Sequence, residues 1–202
     1  MADRDLYKVV LLFGSNLPLG RMSPSQIIEE ACKEVIDALL PDYLEVGSLE
    51  DAVSATEIHQ TEPVGDFEKQ TGEDGAEIPV PVFYNRAMTC LTYLAPEEVL
   101  AQTQRIEKLF GRMRTLKEQT AGVKEDDSKK RVYKSRTLDI DILKAYRNAR
   151  ADKTADKGAD KSSEWVEIKS NTPRLVLPHH QVESRPFVGE LLKELATLKP
   201  KK

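Results

Sequence analysis

Arg136-Thr137-Leu138-Asp139-Ile140-Asp141-Ile142-Leu143 alternates apolar and acidic side chains through its centre. A period of two is the signature of a β-strand, so Leu138, Ile140 and Ile142 are expected in a core. Asp139 and Asp141 then project from the opposite face, about 6.6 Å apart along the strand. Carboxylates this close repel once desolvated unless a cation or an arginine lies between them. Hard oxygen donors of this kind suit Mg²⁺ held jointly with phosphate groups. A solvated strand face would carry the same pattern, so the pair gains meaning only from its neighbours.

Working outward, Tyr7 to Phe13 is an apolar run closed by Gly14-Ser15-Asn16, a strand and its turn. Ser23-Pro24-Ser25-Gln26 offers an N-cap, a proline at the first helical position and the glutamine of a capping box. Ile28, Cys32, Val35 and Leu39 recur at helical spacing, which predicts a core-facing helix to about Leu40. Ala52 to Thr61 and Phe83 to Leu94 are β-type runs. Pro96-Glu97-Glu98 opens a second helix that Gly111 stops. The order β-α-β-β-α-β is the ferredoxin-like arrangement, an α+β (α/β) core with helices on one side of an antiparallel sheet.

The 202 residues, 40% of them hydrophobic, suit one core, so a single domain over 1–202 is expected. With 30 basic and 34 acidic residues the net charge is -4, which gives no broad field for nucleic acid. An anion site must then be a local cluster, for which Arg112, Arg114, Arg136 and Arg174 are available. The charged N-terminus, Met1-Ala2-Asp3-Arg4-Asp5, has no apolar run behind it for a signal peptide or membrane span, so a cytoplasmic protein without membrane contact is expected. Cys32 and Cys90 fall in apolar elements and read as reduced core thiols. Asp66 to Pro81, Thr115 to Ser135 and Lys144 to Ser170 break the globular texture and read as insertions. The last contains Ala-Asp-Lys at Ala151, Ala155 and Ala159. A four-residue period would stack like charges in a helix, so a mobile surface segment is expected.

Around the two aspartates stand Phe13-Gly14-Ser15-Asn16-Leu17, Thr61-Glu62-Pro63-Val64-Gly65, Phe83-Tyr84-Asn85-Arg86-Ala87, Thr103-Gln104-Arg105-Ile106-Glu107, Gly111-Arg112-Met113-Arg114 and Arg174-Leu175-Val176-Leu177-Pro178-His179. In this order, from about Lys8 to about Leu192, they resemble the 6-hydroxymethyl-7,8-dihydropterin pyrophosphokinases of the folate pathway. The resemblance implies transfer of diphosphate from ATP to the hydroxymethyl group of a reduced pterin, with release of AMP. It implies two Mg²⁺ on Asp139 and Asp141, with Arg112 and Arg136 acting beside them in catalysis. Nucleotide contacts are implied for Gln104, Glu107, Arg112, Arg114, Arg136, Ile142, Arg174, His179 and Arg185. Pterin contacts are implied for Thr61, Pro63, Val64, Phe83, Asn85, Asp139 and Phe187, the ring lying between Phe83 and Phe187 while Asn85 reads its edge. A monomer or weak homodimer is expected.

The chain departs from the family pattern in several places. The loops after Pro63 and Arg114 are long, and the second carries no tryptophan, the one in the chain being Trp165. Val176 stands where a hydroxyl residue is common, His180 where an aromatic is, and Pro186 separates Arg185 from Phe187. Two other readings use the same features: a catalytically silent nucleotide- or pterin-binding regulator on this scaffold, and a ferredoxin-like interaction module using the Ala-Asp-Lys segment. Gln104 and Glu107, three apart, are expected on one helix face, which without the resemblance would read as the wet side.

Overall fold

The computed structural model describes residues 5–40, 49–68, 70–112, 132–148 and 165–198. Its strands are β1 (Tyr7–Ser15), β2 (Val53–Ala55), β3 (His59–Thr61), β4 (Asp66–Phe67), β5 (Gln70–Thr71), β6 (Glu77–Ile78), β7 (Phe83–Thr92), β8 (Val132–Tyr133), β9 (Asp139–Asn148), β10 (Trp165–Glu167), β11 (Ser170–Asn171) and β12 (Val176–Leu177). Its helices are α1 (Pro24–Leu39), α2 (Leu49–Ala52), α3 (Pro96–Leu109), α4 (Gln181–Ser184) and α5 (Pro186–Thr197). The main sheet runs β10, β9, β1, β7, with β2 and β3 sharing the outer side of β7. All its pairings are antiparallel, the ferredoxin-like order expected from the sequence.

Alternation sorts the strand residues between two cores. Val9, Leu11 and Phe13 of β1 and Ile140 and Ile142 of β9 face α1 and α3, where Ile27, Ile28, Val35, Val99 and Ile106 meet them. The start of α1 is the expected capping box: the Gln26 N–H donates to Ser23 Oγ at 3.4 Å, and the Ser23 N–H donates to Gln26 Oε1 at 2.9 Å. The other face is not bare. Val10, Leu12, Ala87 and Leu143 are covered by Val188, Leu191 and Leu195 of α5, which recur at helical spacing. The expectation of helices on one side only is therefore corrected, because a second apolar set on β1 needs its own cover.

Two irregularities shape the sheet. The run Ala52 to Thr61 is not one strand: pairing with β7 goes from Ala55↔Met88 to His59↔Asn85, so the outer strand carries an extra residue. Thr56 sits in this bulge, its N–H on the Ala87 carbonyl at 2.9 Å and its Oγ1 accepting the Ala87 N–H at 3.1 Å. In β9, Leu11 pairs with Ile142 and Val10 with Lys144, leaving Leu143 as the bulged residue.

The stretch from Lys144 to Ser170 is corrected as well. Lys144–Asn148 continues β9, and Trp165–Glu167 pairs with it, extending the sheet by an edge hairpin. The period broke at Leu143 and hid the continuation. The Ala-Asp-Lys repeats lie outside the described residues. Within the other two stretches, β5 and β6 form a small ladder, and β4 pairs in parallel with β8. Among the described residues no helix is long and apolar enough to cross a membrane. Cys32 and Cys90 are buried free thiols, as expected.

Candidate active site

The site begins where α3 stops. Gly111 has φ of 79°, a left-handed conformation that a side chain disfavours, and a Cβ there would meet Leu19 Cδ1 at 3.2 Å. The turn brings the Arg112 N–H back onto the Glu107 carbonyl at 3.0 Å, and Thr137 Oγ1 caps the Phe110 carbonyl at 2.5 Å. The end of α3 is thereby fixed to the entry of β9. Glu107 is buried and its Oε1 accepts from Arg112 Nη1 at 2.6 Å and from the Ile140 N–H at 2.8 Å. Arg112 also reaches Asp139 Oδ1, and Arg136 reaches Asp139 Oδ2, so two guanidinium groups hold one carboxylate.

Asp141, one pleat along, shares the face of Asp139, since their partners on β1 are Leu12 and Gly14. Gln181 Nε2 donates to Asp141 Oδ2 at 2.8 Å. The His179 N–H donates to the Leu143 carbonyl at 2.8 Å, docking the segment before α4 against β9. Burial is the largest single influence on Asp141 and alone would raise its pKa. His179, Arg136, Arg112 and the Gln181 amide together outweigh it and hold the carboxyl below its ordinary value. A carboxylate kept ionised is what a hard cation needs. Among the described residues no three His, Cys, Asp or Glu side chains are grouped to hold a metal, so any further ligands must come from outside this pair.

The same sheet face continues onto β7. Asn85 lies opposite Gly14 and is buried, its Nδ2 donating to Thr61 Oγ1 at 2.8 Å. A Cβ on Gly14 would approach Asn85 Oδ1 to 3.3 Å, so the glycine makes room for the amide. Phe83, two residues earlier, shares this face, with Phe67 beside it at 5.7 Å between ring centroids. Behind Asn85, His59 Nε2 is 2.7 Å from Glu194 Oε2, while Glu194 Oε1 takes the Glu57 N–H at 3.0 Å, securing the outer strand to α5.

The structure thus brings together Glu107, Arg112, Arg136, Asp139 and Asp141, with His179 close by in charge, and separately Thr61 with Asn85. Gln104 and Arg174 are exposed, Val64 is exposed, and Pro63, Arg185 and Phe187 are half-buried, Phe187 against the α5 core. Arg114 lies outside the described residues. Ile142 is 3% exposed and faces the α1 and α3 core, so any ligand contact it makes falls to its backbone. Gln104 and Glu107 do not share an environment: Glu107 follows Thr103 by one helical turn and both are buried, while Gln104 is rotated outward. Sequence reasoning did not single out Asn16, Phe67 or Gln181. Glu107 carried a usable signal, since it falls on the helical period of the buried positions.

Comparison with models of known families matches residues 10–197 to 7,8-dihydro-6-hydroxymethylpterin-pyrophosphokinase (HPPK). With nearly the whole length matched, the chain belongs to this family, whose members are Mg²⁺-dependent enzymes of folate biosynthesis that transfer the pyrophosphoryl group of ATP to hydroxymethyldihydropterin.

Proposed function

We propose that the transfer takes place on the sheet face bearing Asp139 and Asp141, with the nucleotide phosphates on the arginine side and the pterin on the Asn85 side. The observation that carries this reading is the placement of both aspartates, Gly14 and Asn85 on one face of adjacent strands. Asp139 and Asp141 would hold two Mg²⁺, which when bound would supply neutralisation of phosphate charge. Both Asp139 oxygens are engaged by Arg112 and Arg136. The guanidinium groups are therefore already gathered where phosphate oxygens arrive, and forked donors suit those oxygens.

On the pterin side, Asn85 presents its amide to the ring edge with Thr61 orienting it, and Phe83 and Phe187 flank the ring, with Pro63 and Val64 at its border. Offset stacking adds about 0.5–1.5 kcal/mol beyond burial, enough to favour one ring orientation. Gln104, Glu107, Arg112, Arg114, Arg136, Arg174, His179, Arg185 and the backbone at Ile142 serve the nucleotide. Glu107 acts largely through Arg112, which it holds in place. The pterin hydroxymethyl oxygen attacks the β-phosphorus, the bond from that phosphorus to the oxygen bridging the α-phosphorus breaks, and AMP leaves with that oxygen while the hydroxyl proton is released. Positioning and charge neutralisation supply the rate. Reduced, buried thiols are in keeping with a cytoplasmic location.

AMP release from ATP and hydroxymethyldihydropterin is the test. Asp139→Ala and Asp141→Ala should each abolish turnover with an unchanged circular dichroism spectrum. Undiminished AMP formation at saturating Mg²⁺ in either variant would remove that residue from the metal assignment.

A further inference from the structure

We propose that Asn16 is a positioning residue that ties the pterin side of the site to its phosphate side, so that each substrate strengthens the binding of the other through it. The inference rests on the site reading above, which sets Phe83 beside the pterin and Arg136 beside the phosphates. Asn16 follows the last residue of β1 and is 1% exposed. Its side chain uses both of its groups. Nδ2 donates to the Pro81 carbonyl at 3.3 Å and to Ser135 Oγ at 3.0 Å, and Oδ1 accepts the Arg136 N–H at 2.8 Å. The main chain adds to this, as the N–H groups of Asn16 and Leu17 donate to the Arg136 carbonyl at 3.1 and 3.2 Å.

One buried amide therefore grips two segments remote in sequence. Pro81 leads into β7 two residues before Phe83, and Ser135 and Arg136 lead into β9 four and three residues before Asp139. Neither segment is held by the ladders of the main sheet at these points, whereas β1 is paired on both sides up to Gly14. Loss of the Asn16 side chain should leave the sheet standing and release the two approaches from one another. A ligand that fixes one approach then no longer prepares the other, which is a loss of coupling between sites. A purely structural staple would lower the melting temperature and leave the coupling as it was.

The experiment is calorimetric titration of hydroxymethyldihydropterin into the full chain, with and without Mg²⁺ and a non-hydrolysable ATP analogue. The unmodified protein should bind pterin at least about fivefold more tightly when the nucleotide site is filled, the lower end of known coupled sites. Asn16→Asp keeps an acceptor for the Arg136 N–H and loses both donors. It should keep nucleotide affinity within about threefold while its coupling falls below about twofold, against the at least fivefold of coupled sites. Ser135→Ala removes one hydroxyl from a half-buried position, keeps the protein testable should the Asn16 variant not fold, and should show reduced coupling. Coupling of unmodified size in a folded Asn16→Asp or in Ser135→Ala overturns the inference, as does absence of coupling in the unmodified protein. Arg136→Ala and Phe83→Ala, titrated alongside, separate the two ideas. If they weaken nucleotide and pterin binding respectively while the Asn16 variant keeps its coupling, this inference alone falls. If neither weakens its ligand, the site reading falls and this inference with it.

Discussion

Gln181 Nε2 donates to Asp141 Oδ2 across 2.8 Å, and the glutamine is itself 9% exposed. A buried amide of this kind fixes the rotation of the carboxylate, so one of its oxygens is committed to protein. Hydrogen bonds to charged groups contribute about 1.5–3 kcal/mol. Gln181→Leu should accordingly raise the Mg²⁺ concentration for half-maximal AMP release by about tenfold or more, with turnover at saturating Mg²⁺ little changed. An unaltered Mg²⁺ requirement would reduce Gln181 to a packing residue.

Glu107 gives a stability prediction. Glu107→Ala strands the Ile140 N–H and removes a carboxylate from beside Arg112. Breaking one side of a buried charged pair costs about 3–5 kcal/mol, and part exposure of Arg112 sets the expectation at the lower end. Glu107→Gln keeps an acceptor for the Ile140 N–H and should cost about half as much on the same reasoning. Urea unfolding of the two variants checks the order: an equal loss in both would mean that the acceptor for the Ile140 N–H contributes nothing, and no loss in Glu107→Gln would mean that the ion pair contributes nothing.

The thiols should be silent in the folded protein. Burial pushes Cys32 up to about 11 and Cys90 up to about 12. Since the thiolate is the nucleophile, both groups should resist iodoacetamide at pH 8 and react together once the chain is unfolded. Rapid labelling of Cys90 under native conditions would contradict its placement beneath α1.

The edge hairpin should tolerate shortening of its connection. Trp165 pairs with Asn148, and Lys8 Nζ lies 4.8 Å from the Tyr146 ring centroid and 4.9 Å from that of Trp165. Deletion of 151–162 leaves these contacts and changes loop-closure entropy by only about 0.6 kcal/mol per halving of length. The melting temperature and AMP release should both stay near the values of the full chain. Lys8→Ala should lower stability by about 1 kcal/mol or more through the two ring contacts, and a melting curve identical to that of the parent would show that they do not matter.

Local rules made much of the fold legible. Alternation around Asp139 placed the aspartates on one face, Ser23 and Gln26 announced the start of α1, and Gly111 its counterpart at the end of α3. What escaped was set by tertiary contact. Thr56 reads as one more β-branched strand residue, and only its pairing with Ala87 reveals a bulge. Gln181 and Asn16 are ordinary polar residues in sequence, and their roles depend on partners 40 and up to 120 positions away. Glu107 was obscured because a charged side chain on a helix is usually wet, whereas here Arg112 and a strand N–H repay its burial.

The extra residue in β9 acts as a change of phase. Before Leu143 the odd-numbered Asp139 and Asp141 look toward the α5 side, and after it the even-numbered Lys144 and Tyr146 do, because Leu143 has no partner of its own on β1. The strand is thus two half-strands with independent bookkeeping of faces. A shift in pairing at the Trp165 edge can be absorbed at the bulge before it reaches Asp141. Variation in the length and composition of the hairpin is thereby decoupled from the geometry of the two aspartates, which leaves the outer end of the sheet free to diverge while its inner end stays committed to one chemistry.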